Sequence, residues 1–153
     1  MQTIIIDTRE QIPYNFTLPS QCQKLPAGDY SLAGLENQVA VERKSLTDLV
    51  HTVTRNRLRF YQELEKLTTY DAACIVVEAN FHDLLEGAYP GGIHPNALIG
   101  TVISLIVDFR IPVFFCSDRQ AACRFVEEFL IRYSKKVERC INKKDKSPQS
   151  EDR

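Results

Sequence analysis

Asp29, Glu42 and Lys44 are the residues of this 153-residue chain whose types and spacing could do chemistry together. They stand in GDYSLAGLENQVAVERKSLTDL, residues 28–49, where two alternating stretches flank a turn. With residues 34–37 as that turn, Ala33 pairs with Gln38, Ser31 with Ala40 and Asp29 with Glu42. Directly opposed residues on one face have Cβ atoms about 4.5–5.5 Å apart, where two like charges destabilise a sheet. Lys44 is two residues beyond Glu42 and shares its face. Two carboxylates with an ammonium beside them suit phosphodiester hydrolysis. Carboxylate oxygens hold a hard divalent ion such as Mg²⁺, which polarises the phosphate and activates water. The lysine can orient that water and offset charge growing on phosphorus. The same residues could instead form a surface salt-bridge cluster at a strand end, worth little in stability. A slip of one residue in register would turn Glu42 to the other face.

The surrounding elements read as an α/β domain with a mixed sheet. TIIID, residues 3–7, is a short apolar run typical of a buried strand, and residues 8–19 read as loop. Ser45 is placed as an N-cap, with Asp48 standing where a capping box usually has glutamate, and a helix follows to about Val53. Residues 55–70 place Leu58, Tyr61, Leu64, Glu65 and Thr68 at helical spacing. AACIVVEA, residues 72–79, is a buried strand ending in Glu78. YPGGIHP, residues 89–95, is a loop, either mobile over the site or merely connecting, and Pro95 suits the first turn of a helix. That helix, to about Phe109, is apolar nearly all round and is expected to be buried on several sides. IPVFFC is a further strand. The last helix runs from about Arg119 to about Cys140, with Phe125, Val126, Phe129, Leu130, Tyr133 and Val137 as its stripe. One domain, residues 1–141, is followed by a polar tail, 142–153, expected to be disordered.

Composition excludes several classes. Hydrophobic residues at 44% and charged residues at 25% are ordinary globular values. The longest apolar run, residues 97–107, is broken by Gly100, Thr101 and Ser104, far short of the roughly 20 residues that span a bilayer. No membrane segment or secretory signal is read. Five cysteines without a CxxC pair argue for free thiols in a reducing, cytosolic setting, against a disulfide framework or structural zinc. The net charge of −1 gives no global pull toward nucleic acid. Arginines 55, 57 and 59 crowd one stretch; Arg132, Lys135, Lys136, Arg139, Lys143 and Lys144 crowd another. Each cluster is either a solvated helix face or a grip on DNA. The three histidines are scattered, without metal-ligand spacing.

GDY followed by VERKSLTDL resembles the nuclease signature of the XPF-type structure-specific endonucleases: Gly28-Asp29, a variable gap, then Glu42-Arg43-Lys44, three residues and Asp48. The likeness extends to IIIDTRE with Asp7, Arg9 and Glu10, to RNRLRFYQEL with Arg57 and Leu58, and to CIVVEA with Glu78. It is close over about residues 3–80 and looser beyond.

The resemblance implies a restriction-endonuclease-like core, a mixed central sheet flanked by helices. It also implies cleavage of branched or flap DNA at single-strand/duplex junctions with Mg²⁺ or Mn²⁺, in DNA repair or recombination. Asp29 and Glu42 would be metal ligands, with the Arg43 backbone carbonyl as a third. Lys44 would handle the attacking water, and Asp7 would support the metal through water or join it directly. Arg9, Arg43, Arg55 and Arg57 would touch the DNA backbone or brace the carboxylates, Glu10 and Glu78 would support, and Asp48 would anchor its helix. Family members dimerise through their nuclease domains, which suits the apolar surface of the last two helices and implies a homodimer. They usually continue into a tandem helix-hairpin-helix domain, absent here, so the basic clusters or a partner must supply the grip. The alternative is a catalytically inactive DNA-binding or scaffold subunit pairing with an active nuclease. Such subunits typically lose signature acids, and every one is present.

Overall fold

Side-chain alternation sorts the strands of one sheet between two apolar layers. The computed structural model describes residues 2–146. Six strands are formed: β1 (Ile4–Ile6), β2 (Ser20–Cys22), β3 (Tyr30–Leu32), β4 (Val39–Lys44), β5 (Ala72–Val77) and β6 (Val113–Phe115). The helices are α1 (Leu46–Thr54), α2 (Arg57–Thr68), α3 (Phe81–Leu85), α4 (Pro95–Val107) and α5 (Arg119–Asp145). The strand order is β2-β1-β3-β4-β5-β6. β3 runs antiparallel to β1 and β4, while β1–β2, β4–β5 and β5–β6 are parallel. The sheet is mixed, as expected.

Ala40, Ile75 and Val77 point into one layer with Leu49, Leu64 and Leu98 of α1, α2 and α4. Tyr30, Val39, Val41, Cys74 and Val76 point into the other, against Val126 and Leu130 of α5. Both layers are apolar, so the central strands bury both faces, which is why β5 reads as a continuous apolar run. Ser45 caps α1 with the full reciprocal box to Asp48, and Pro95 occupies the first turn of α4.

Several elements depart from the sequence reading. β2 lies just past the stretch read as loop, where the sequence reading assigned no element; all three of its residues are exposed, and it pairs as an edge strand with β1. The short α3 also went unread, since one turn carries no periodicity. On α2 the buried residues are Phe60, Leu64 and Leu67, whereas Leu58 is 74% exposed. α4 buries Leu98, Val102 and Leu105 but leaves Ile103, Ile106 and Val107 in the open, so it is covered on one side only. α5 continues to Asp145, past the expected end near Cys140, and takes residues 142–145 out of the expected tail. Residues 147–153 of that tail lie outside the described residues. Among the described residues no helix is long and apolar enough to cross a membrane, and all five cysteines are free.

Candidate active site

β4 carries VERK across its C-terminal end, and strand alternation splits the charges. Tyr30 pairs with Val41, which is the register that sets Asp29 opposite Glu42. Tyr30 and Val41 face α5, so Asp29 and Glu42 both face α1 and α2. Lys44 follows Glu42 on that face, and Arg43 projects to the opposite one. The charged strand end serves two faces with two tasks.

Asp29 and Glu42 line one cavity of about 160 Å³ with Arg9, Gly28 and Glu63. Glu42 and Lys44 line an adjoining cavity of about 240 Å³ with Asp48, His51, Arg59 and Glu63. Lys44 Nζ is 3.5 Å from Glu42 Oε1 and 5.3 Å from the Phe60 ring centroid. Glu42 is only 9% exposed. Burial pushes its carboxyl up to about 8, the Asp29 charge adds to this, and Lys44 pulls the other way. Burial likewise pushes Asp29 up to about 7, against the Arg43 N–H, with Glu10 raising it further and Lys44 lowering it. The two acids share too little positive charge, which is the condition that a cation relieves.

The backbone fixes the pair. Arg43 N–H donates to Asp29 Oδ2 at 2.8 Å, beyond the end of β3. Along a strand the N–H and C=O of one residue point to the same side, so the Arg43 carbonyl also lies on the Asp29 side of β4. Asp29 N–H donates to Val41 O and its carbonyl accepts from Asp7 N–H, both at 2.9 Å. Gly28 allows this crossing: its φ is +76°, and a Cβ there would lie 3.0 Å from Ala40 Cβ and 3.2 Å from Val41 O.

Asp7 is fully buried and already engaged. Its Oδ1 accepts from Leu25 N–H at 2.8 Å; its Oδ2 accepts from Arg9 Nε at 2.7 Å and Arg9 N–H at 3.2 Å. Burial raises its pKa, but the bonds from Leu25 and Arg9 outweigh that and hold it below the usual range. Among the described residues no three Asp, Glu, His or Cys side chains converge to hold an ion. The oxygen donors at the pair include the Asp29 and Glu42 carboxylates and, on the same side of β4, the Arg43 carbonyl. This hard, incomplete set fits Mg²⁺ or Mn²⁺, which keep several waters.

Arg43 anchors the other face. Its Nε donates to Glu78 Oε1 at 2.5 Å, and its Nη1 to Glu10 Oε2 at 3.2 Å and Ile12 O at 2.8 Å. Arg43 thus braces the two supporting acids instead of reaching out toward a ligand. Asp48 closes the capping box of α1 at the rim of the cavity. Arg55 and Arg57 are exposed at the α1–α2 junction, where the Arg57 guanidinium lies 5.5 Å from the Tyr61 ring centroid. Glu63, which faces Glu42 across the cavity and raises its pKa further, was not legible in the sequence, nor were the contacts of Tyr14 with Arg43 and Arg119 described below. Glu63 had one available signal, the Arg59 partner four residues earlier at 3.9 Å.

Comparison with known proteins bears on the family and the fold. The model of the ERCC4 domain matches residues 6–129. A Methanocaldococcus jannaschii protein named as an ATP-dependent RNA helicase is 32% identical over 122 residues, covering 76% of this chain and 14% of its own. The 3′-flap repair endonuclease Xpf of Saccharolobus solfataricus is 28% identical over 111 residues, covering 72% and 44%. The chain thus spans less than half the length of either relative. Among solved structures, XPF from Aeropyrum pernix superposes with a TM-score of 0.68 at 22% identity, covering 86% of this chain and 61% of that one. Its complex with DNA gives 0.67 at 23%, covering 90% and 66%. These two likenesses establish the restriction-endonuclease-like fold.

Proposed function

The chain belongs to the ERCC4 domain family, that of the XPF nucleases, and on that premise we propose that it is a metal-dependent endonuclease cutting branched or flap DNA. The observation that carries the reading is the shared cavity of Asp29 and Glu42, with the Lys44 ammonium 3.5 Å from Glu42. The likeness to a flap endonuclease and to a DNA complex supports the substrate class.

Asp29, Glu42 and the Arg43 carbonyl would hold Mg²⁺ or Mn²⁺. When bound, that ion supplies Lewis-acid polarisation of the scissile phosphate. Lys44, held between Glu42 and the Phe60 ring, orients the attacking water and offsets charge on phosphorus. Asp7 takes the supporting one of its two expected roles, fixing Arg9 and the main chain at Asp29. Arg9, Arg55 and Arg57 are exposed and would meet DNA phosphates, while Arg43 is kept for bracing. The exposed apolar side of α4 and the groove along α5 suit a homodimer. Work on branched DNA would place the protein in repair or recombination.

The test is cleavage of labelled flap, fork, splayed-arm and linear duplex DNA with Mg²⁺ or Mn²⁺, by wild type and Glu42→Ala. Cutting near a junction by wild type alone is expected. Equal cleavage by both proteins would defeat the proposal, and an inert wild type would favour the scaffold role.

A further inference from the structure

Arg43 joins the acidic pair to the opposite face of the sheet: its main chain holds Asp29 and its guanidinium enters a buried polar network. Two residues outside the signature complete that network, and neither is bonded to Asp29, Glu42 or Lys44. Tyr14, in the loop between β1 and β2, is 2% exposed. Its hydroxyl donates to Glu78 Oε1, the same oxygen that accepts Arg43 Nε. Its N–H donates to the Tyr30 hydroxyl at 3.0 Å, which donates in turn to Glu10 Oε2 at 2.8 Å. Arg119, the first residue of α5, donates from Nη2 to Ile12 O at 2.9 Å and Pro13 O at 2.6 Å. The Arg43 guanidinium lies 4.5 Å from the Tyr14 ring centroid and the Arg119 guanidinium 5.1 Å from it. Segment 12–14 is therefore clamped between two cations, and Ile12 O accepts from both.

We propose that Tyr14 and Arg119 are positioning residues for the acidic pair, acting through Arg43. An arginine side chain resists fixing because its rotamers carry entropy. Here Glu10, Glu78 and the Ile12 carbonyl take three charge-assisted bonds from Nε and Nη1, and the Tyr14 ring lies beside the guanidinium. Fixing the side chain fixes the Arg43 backbone, and with it the N–H on Asp29 and the carbonyl beside it. Burial and the Glu78 bond raise the Tyr14 pKa, so its hydroxyl remains a donor across the working pH range. A displacement of about 1 Å at a reacting centre can cost about 10²-fold in rate.

The inference rests on the nuclease reading above, so its test has a readout independent of cleavage. Mn²⁺ binding to the DNA-free protein is followed by electron paramagnetic resonance. Single-turnover cleavage of flap DNA and thermal unfolding are measured alongside. Tyr14→Phe keeps the ring and removes one O–H; Arg119→Ala removes the second clamp; Arg119→Lys restores a cation. Tyr14→Phe and Arg119→Ala should each weaken Mn²⁺ binding about tenfold and slow cleavage by a similar factor, with DNA affinity within about twofold. Arg119→Lys should recover part of the loss. Mn²⁺ affinity and rate unchanged in both variants would overturn the proposal, as would a loss that merely tracks the unfolded fraction. If Arg119→Ala does not fold, Tyr14→Phe decides. A wild type that binds Mn²⁺ but cuts no DNA sinks the nuclease reading and leaves the positioning test intact. A wild type that binds no Mn²⁺ sinks both.

Discussion

Asp29 and Glu42 face one cavity from the same side of the sheet, at the paired ends of β3 and β4, with the Lys44 ammonium 3.5 Å from Glu42. The arrangement stores unfavourable charge at the mouth of the site. It also explains why β4 ends in three charged residues: acid and amine go to the cavity face, and Arg43 goes to the bracing face.

That stored charge should appear as a pH-dependent stability. Both acids have folded pKa values above their unfolded ones, to about 7 for Asp29 and about 8 for Glu42. The folded protein therefore keeps protons that the unfolded chain has released. Their contribution is complete below about pH 4 and is lost as pH rises toward 8. Thermal or urea unfolding of metal-free protein should show this decline, and Glu42→Gln should flatten it. Mn²⁺ should restore stability at pH 8 and do so far less at pH 5.5, because its ligands must first lose their protons. A Glu42→Gln profile parallel to wild type would refute the account.

Asp7 and Asp29 should separate under mutation. Asp7→Ala strands the buried Leu25 N–H and releases Arg9, costing about 2 kcal/mol in stability. Asp29→Asn retains an acceptor for the Arg43 N–H and relieves part of the stored charge, so it should not lower the unfolding midpoint. Its cleavage rate, by contrast, should fall by at least about 10²-fold. Comparable destabilisation in the two variants would show that Asp29 is structural as well.

If the α1–α2 junction meets phosphates, affinity for DNA falls steeply with salt. Arg55→Ala combined with Arg57→Ala should flatten the logarithmic salt slope by about 2. An unchanged slope, measured by fluorescence anisotropy, would place that cluster off the DNA path.

The uncovered side of α4, with Ile103 50% and Val107 67% exposed, and the groove beside Phe125 and Phe129 on α5 should support a dimer. Sedimentation should give twice the chain mass. At least one of Ile103→Glu and Phe125→Glu should return a folded monomer, and a dimer surviving both would exclude these surfaces.

What the sequence made legible was local. A turn glycine, strict alternation and a capping serine define the hairpin, its register and the helix after it, and through them the convergence of Asp29, Glu42 and Lys44. What it hid depends on distant partners. β2 has no apolar face of its own and becomes a strand only because β1 offers an edge. The apolar circumference of α4 implied burial that only one side receives. Tyr14 meets Glu78 and Arg119 across long stretches of chain, so no local pattern announces the clamp. Arg43 was legible as important, but its direction follows from strand parity and its task from acids on two other elements.

Gly28 gives the molecule a built-in off position. A single methyl there would collide with Ala40 and the Val41 carbonyl and act as a wedge at the place where the chain turns into its first acid. Both carboxylates, the lysine and the exposed arginines would remain in the protein, yet the acids would part. On the proposed function, Gly28→Ala is expected to bind DNA without cutting it, a handle for trapping the substrate without altering any charged group.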